Sequence, residues 1–222
     1  RGSVNLLGID TSTDVAFVAL YAHGQYYEAE KADARSHAQA LLTMIEGVLL
    51  DAEMTLNQLD GLVFGQGPGS FTGLRVACSM VKGLSYGLDL PVYPVCTLAA
   101  MIWAIRKEQN FSPDTGVLAM MDARMNQLYW LFDFADEVTS IQVSHPEGIE
   151  IEAQVPLVLV GTGWANYESR LNPALKTNIM LNREIYPKAS LMIEMVLHGI
   201  IKSVNANEVL PLYVRNQVVQ GG

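Results

Sequence analysis

The sequence predicts an α/β fold with mixed, helix-covered sheets, arranged as two successive β-β-β-α-β-α units of which the second is abbreviated. Three observations carry this. Short apolar runs of strand length alternate with segments of helical periodicity. The order of elements begins again after the polar break Asn110-Phe111-Ser112-Pro113. The first strand of each half also ends in an aspartate at a hairpin tip, Asp10 and then Asp122. With 50% apolar and 17% charged residues among 222, and a mean hydropathy of +0.20, the chain can close a core over about 70% of its unfolded surface.

Each element follows from local pattern. Val4–Ile9 is a continuous apolar run, as expected of a strand buried on both faces. Val15–Tyr21 and Gln25–Ala29 flank Ala22-His23-Gly24 and read as a hairpin. Ser36 is expected to cap the next helix, with Gln39 as the reciprocal member of a capping box. Leu41, Met44, Ile45, Val48, Leu49 and Ala52 then recur on one helical face, and Leu42 and Leu50 fall beside it. That arc is wider than one buried face requires and predicts a partner. Gly61–Gly65 reads as strand, a glycine-rich loop runs through Ser70, Thr72–Tyr86 is a helix ended by Gly87, and Pro91–Val95 is a fifth strand. A helix over Leu98–Glu108 leads to strands at Val117–Met121, Leu128–Phe134 and Val138–Val143. The second copy then shortens. Pro156–Val160 follows a loop instead of a helix, and Gly161-Thr162-Gly163, a short helix, a strand near Ile179 and a helix over Ala189–Ser203 complete it. The expected division sets residues 1–98, completed by 204–222, against 99–203. Arg1-Gly2-Ser3 reads as the remnant of an affinity tag and is set aside.

Charge and cysteine usage narrow the function. A formal charge of −9 argues against a protein that grips a phosphate backbone unaided, since such affinity comes from Lys and Arg neutralising phosphates. No Lys or Arg lies between Arg124 and Arg170, whereas Asp133, Asp136, Glu137, Glu147, Glu150 and Glu152 do. If RNA is involved, another component must hold it. No apolar run approaches the ~18 residues of a membrane span, and the first residues lack a secretory pattern. Cys78 and Cys96 sit among apolar neighbours without ligand spacing, as reduced core thiols of a soluble, cytoplasmic protein would.

The candidate chemistry has two readings throughout. Asp10-Thr11-Ser12 could bind anionic oxygens through N–H and hydroxyl groups while the aspartate positions a metal-bound water, or could be the turn chemistry any tight hairpin selects. Gly65-Gln66-Gly67-Pro68-Gly69-Ser70-Phe71-Thr72-Gly73-Leu74-Arg75 opens onto a helix N-terminus, an anion seat in principle, yet it is neither a P-loop nor a dinucleotide fingerprint. His37 is followed at i+4 by Leu41, and His23, His145 and His198 have no partner at ligand spacing, so no metal site is expected. No serine occupies a nucleophile elbow. Two units with paired aspartate tips are the layout of the actin-like ATPase, or ribonuclease H-like, fold. Its nucleotide cleft, degenerate here, would be lined by Asp10, Thr11, Ser12, Gly67, Gly69, Ser70, Asp122, Gly161 and Gly163.

Five segments go beyond generic pattern: Leu6-Leu7-Gly8-Ile9-Asp10-Thr11-Ser12, Arg35-Ser36-His37, the block Gly67 to Arg75, Asp122-Ala123-Arg124-Met125-Asn126, and Pro211-Leu212-Tyr213-Val214-Arg215-Asn216. In order and over nearly the whole chain they resemble the TsaB (YeaZ) family, the block through Arg75 being the specific part. The resemblance implies a non-catalytic paralogue of TsaD, the enzyme that transfers the threonylcarbamoyl group to the adenosine beside the anticodon of tRNA. TsaD-like proteins carry a His-x-x-x-His metal helix and a further acidic ligand near the C-terminus. Here Leu41 stands at the second His position and Tyr186-Pro187-Lys188 where the acid is expected, which implies no metal and no catalysis. The resemblance further implies docking on TsaD through two N-terminal helices, with the ATPase TsaE joining the pair and tRNA reached only through the complex. Ser36, His37, Leu41, Leu42, Ile45, Leu49, Leu50, Arg75, Cys78, Ser79 and Lys82 are the contact residues so expected, and self-pairing through the same patch is expected when the chain is alone. At most weak ATP or ADP binding within the complex is expected of the cleft. An active small actin-like ATPase or kinase is the alternative, and a metallopeptidase a more remote one.

Overall fold

The computed structural model describes residues 3–34, 36–151 and 154–214. In chain order the first elements are β1 (Leu6–Asp10), β2 (Val15–Ala22), β3 (Gln25–Ala32), α1 (Ala38–Asp51), β4 (Gly61–Gly67), α2 (Phe71–Leu88), β5 (Val92–Cys96) and α3 (Thr97–Glu108). There follow β6 (Gly116–Arg124), β7 (Gln127–Phe134), β8 (Glu137–Val138), β9 (Gln142–Ser144), β10 (Leu157–Thr162), α4 (Pro173–Lys176), β11 (Ile179–Glu184) and α5 (Ala189–Leu197). The predicted class holds, α/β with two mixed sheets in the actin-like order. The chain separates into two units, one running to Ala100 and resuming over Pro187–Leu212, the other built of Met101–Tyr186 together with Tyr213 and Val214, which the expected 204–222 segment had placed in the first unit. This moves the expected boundary from 98 to 100 and returns the last helix to the first unit, not the second. Arg35, Glu152, Arg215 and Asn216, and with them part of the expected 204–222 segment, lie outside the described residues.

In the first unit the strand order is β3-β2-β1-β4-β5, with β1 antiparallel to β2 and parallel to β4. All five residues of β1 are buried, as its unbroken apolar run requires of a central strand. Alternate side chains then serve opposite layers. Leu7 and Ile9 join a core with the α1 and α2 side chains Leu41, Ile45, Val48, Ala77 and Val81. On the other face Gly8 lies under α5, where an added Cβ would come within 3.1 Å of the Ile193 side chain. The α1 stripe Leu41, Met44, Ile45, Val48 and Leu49 is buried as predicted. That burial contributes roughly 10 kcal/mol at ~2 kcal/mol per large apolar side chain.

Several element ends differ from expectation. Ser36 does not cap α1. It is exposed in a turn closed by the His37 N–H donating to the Ala34 carbonyl at 3.1 Å, so the helix starts two residues later with His37 as an extended N-cap and no capping box. The second helix passes Gly87 and stops at Leu88, where Asp89 takes the left-handed conformation at φ 51°. The expected strand Val138–Val143 is broken into β8 and β9. The Thr139 hydroxyl accepts the Phe132 N–H at 3.1 Å, a donor that a regular ladder would pair with a carbonyl. The last helix ends at Leu197, not Ser203, because the chain turns left-handed at Gly199, φ 75°.

The second unit carries the order β11-β10-β6-β7-β8, with β9 also paired to β7. Its core holds Leu118, Met120, Trp130, Phe132, Leu157, Leu159 and Leu175. Arg106 near the end of α3 clamps this sheet. Its Nε donates to Asp133 Oδ2 at 2.5 Å, and one terminal nitrogen donates to the carbonyls of Thr115 and Asp133 at 3.1 and 3.2 Å.

Candidate functional site

In the first unit, β1 delivers Asp10 to the C-terminal end of the central strands and β4 delivers the glycine-rich loop beside it. Asp10, Thr11 and Ser12 are all buried. The Ser12 hydroxyl donates to the Asp10 carboxylate, 2.8 and 3.0 Å from its two oxygens, and the Ser12 N–H donates to Oδ2 at 3.2 Å. The carboxyl lies flat against Gly65, where any Cβ would fall 2.1 Å from Oδ1. Desolvation by burial pushes its pKa from the ordinary 3.8 up to about 7, against the pull of the two Ser12 hydrogen bonds.

The loop between β4 and α2 closes onto this turn. The Ser70 N–H donates to the Ser12 carbonyl at 2.8 Å, and the Thr11 hydroxyl donates to the Gly73 carbonyl at 2.6 Å. Gly69 packs so closely that a Cβ would lie 2.3 Å from the Ser12 carbonyl oxygen. The Ser70 hydroxyl caps α2 by accepting the Gly73 N–H at 3.2 Å. Two of the four amide donors at this helix start, those of Ser70 and Gly73, are thus engaged by the chain itself, which leaves a poorer anion seat than an open loop would offer. Gly67, joined to Pro68 by a cis peptide bond, packs instead against Leu74 and the Leu212 carbonyl, and the Leu212 N–H donates to the Gln66 carbonyl at 2.7 Å.

The remaining predicted cleft residues form a second group within the second unit. Asp122 Oδ1 accepts the Arg124 N–H at 2.8 Å and the Tyr167 hydroxyl at 3.2 Å. Beyond it Arg124, Met125 and Asn126 are all left-handed, as a tight hairpin tip with a register shift demands. Gly163 abuts the Asp122 side chain, and Gly161, at φ 136°, leaves room for the Met120 carbonyl, which a Cβ would approach to 1.8 Å. Sequence reasoning missed the groups that hold this tip. Arg170 pairs with Glu147 at 2.6 and 3.2 Å, and His145 Nδ1 lies 2.9 Å from the Asn126 carbonyl. Their separation from the tip along the chain left no local signal.

The metal-helix position does not fit a metal. Leu41 is fully buried in the apolar core, whereas His37 is exposed at the start of α1, so the two cannot face one ion. The predicted contact set divides similarly. Leu41, Ile45, Leu49 and Cys78 belong to the chain's own core and are not available to a partner, a correction that follows from their inward helical phase. Ala77, next to Cys78, is buried as well, while Ser79 faces out. On the outer side remain Ser36, His37, Leu42, Leu50, Arg75 and Ser79, with Lys82 half-buried. Leu42 is 38% and Leu50 77% exposed, and Phe71 and Tyr86 add exposed aromatic surface on α2 that the sequence reading had passed over.

These features place the chain in a class before they name its family. Residues 30–162 match the family described as TsaD: tRNA N6-adenosine threonylcarbamoyltransferase. The protein is therefore of the TsaD-like class, with an apolar side chain where a metal helix needs its second histidine. The tRNA threonylcarbamoyladenosine biosynthesis protein TsaB of Haemophilus influenzae is 34% identical, covering 97% of this chain and 95% of that protein, and the TsaB of Escherichia coli is 30% identical over 97% and 96%. The solved structure of YeaZ from Pseudomonas aeruginosa superposes with a TM-score of 0.79 at 31% identity, covering 96% of this chain and all of that one. The chain belongs to the TsaB family.

Proposed function

We propose that this protein is a non-catalytic subunit in the synthesis of threonylcarbamoyladenosine in tRNA. It docks on TsaD through the outer sides of α1 and α2, and TsaE joins the pair. The observation that carries the reading is Leu50, 77% exposed on a helix whose other large aliphatic residues, apart from Leu42, are buried. An exposed leucine that recurs with a second one two helical turns away, on a helix packed against α2 with its own exposed aromatic rings, fits a protein partner. Covering Leu50 alone stabilises a complex by roughly 1.5–2 kcal/mol, and a stable interface of this kind buries on the order of 1,600 Å². The acidic chain leaves tRNA to the rest of the complex. No helix among the described residues is long and apolar enough to cross a membrane, and the reading places the protein in the cytoplasm. When alone, the same patch pairs two copies of the chain.

The test mixes the purified chain with TsaD and TsaE and measures modified nucleoside in tRNA, alongside co-purification of Leu42→Glu and Leu50→Glu variants. Restored modification by the parent chain, and loss of TsaD binding with retained folding in the variants, support the reading. Undiminished co-purification of both variants removes this interface. Calorimetry with ATP and magnesium addresses the competing ATPase, since micromolar binding with turnover abolished by Asp10→Asn replaces the proposal.

A further inference from the structure

At the far end of α2 from its glycine-rich start, a pocket of about 370 Å³ is lined by Ser85, Tyr86, Asp89, Leu90, Asn205 and Asn207. We propose that this pocket binds a guanidinium group carried on a flexible chain. The argument begins from an electrostatic mismatch. The C-terminal end of a helix carries the negative pole of its dipole and favours Lys or Arg in the last turn. The 18-residue α2 has no basic residue there and instead places the Asp89 carboxylate at its C-cap, where like sign meets like.

Among the described residues, nothing lining the pocket is cationic. The preceding cation on the helix, Lys82, stands one full turn before Tyr86, lies outside the pocket and acts on the Cys78 thiol. Across the pocket, the Glu208 carboxylate is tied to the Asn205 N–H at 2.9 Å, so it adds negative potential without neutralising Asp89. Departures from local electrostatic rules concentrate at functional sites, and a concave acidic site at a helix C-terminus is suited to a cation supplied from outside. Tyr86, 63% exposed, offers an aromatic face at the same place. A planar cation can stack on that ring while its forked N–H groups meet the carboxylate, and the amide oxygen of Asn207 supplies a further acceptor. An ammonium satisfies the charge but neither the plane nor the fork, which selects guanidinium.

The experiment titrates the full 15N-labelled chain with N-acetyl-arginine amide and follows backbone amides by two-dimensional NMR. The expected result is saturable shifts at Tyr86, Asp89 and Asn205 to Asn207, with Kd on the order of millimolar as suits a fragment of this size. The neutral citrulline analogue should leave these amides in place, and the lysine analogue should bind at least threefold more weakly. Asp89→Gly should weaken binding at least fivefold without loss of fold, because glycine takes the left-handed C-cap freely. Asp89→Asn, which keeps the side chain's size, should match it. Shifts that persist in both Asp89 variants, equal shifts with citrulline, equal affinity for the lysine analogue, or no shifts at the pocket each overturn the proposal.

Discussion

Replacing Asp10 by Asn should make the protein's stability markedly less sensitive to pH between 5 and 8. The carboxyl is buried against Gly65 with only the Ser12 hydroxyl and N–H for company, and its pKa rises from 3.8 to about 7 on folding. A carboxyl with a raised folded pKa favours the native state at low pH. That advantage is complete below 3.8, declines as the unfolded chain ionises, and is gone once the folded group ionises near 7. Integrated from pH 5 to pH 8 with those two values, the Asp10 contribution falls by roughly 3 kcal/mol, at about 1.4 kcal/mol per pH unit of separation. Asparagine keeps the shape and can accept the same Ser12 donors but never ionises. Urea unfolding followed by far-ultraviolet circular dichroism, which reports the helices and strands of both units, run on both proteins at several pH values, isolates the effect. Titration of every other group is common to both and cancels in the difference. The gap should move in favour of the variant by roughly 2–3 kcal/mol as pH rises. A gap that stays constant within about 0.5 kcal/mol, or that moves the other way, refutes the claim that this carboxyl is dry in the folded state.

Three further outcomes follow from the same coordinates. Leu50→Glu should leave the thermal midpoint within about 2 °C of the parent, since the side chain is outside the core, while abolishing capture by immobilised TsaD; a fall in the midpoint of 8 °C or more counts against its surface placement. Gly161→Ala should destabilise by about 3 kcal/mol or more, because its Cβ would meet the Met120 carbonyl and the residue sits at φ 136°; a change under about 1 kcal/mol in urea refutes the packing. Arg106→Lys should cost about 2 kcal/mol, since a single ammonium nitrogen cannot stand where both Nε and a terminal nitrogen of the guanidinium stand. Parent-like urea resistance of that variant shows the clamp to be idle.

Periodicity made the α1 stripe and the doubly buried β1 readable in advance, because burial on a central strand or a helix face imposes a composition that survives in one sequence. Helix ends were less readable. Ser36 has the chemistry of a cap, but the His37 N–H closes on the Ala34 carbonyl and leaves Ser36 outside the helix, which begins at Ala38. Gly87 resembles a terminator, yet Asp89 can also adopt the left-handed conformation and does so two residues later. Within the candidate site, Asp10, Ser12, Gly69 and Ser70 lie against one another as adjoining loops of one sheet end, a proximity that local loop chemistry made readable. The Tyr167 contact to Asp122 and the Leu212 pairing with Gln66 join residues 45 or more apart in sequence, and no pattern in a single chain announces them. Cys78 was read both as a core thiol and as a contact residue, because a small apolar residue suits a core and an interface equally; the structure places it in the core.

The first unit is finished with residues that come last. Ile193 of α5 lies over Gly8, Val204 bridges to Val92, and Val209 joins the main core, where the Cys78 thiol lies 3.6 Å from its carbonyl. During synthesis, therefore, the N-terminal sheet waits with one face bare while the whole of Met101–Tyr186 is made, and closes only once α5 has been added. Trimming the chain back past α5 would strip the half it does not adjoin in sequence, exposing Leu6, Phe17 and Val63 to solvent.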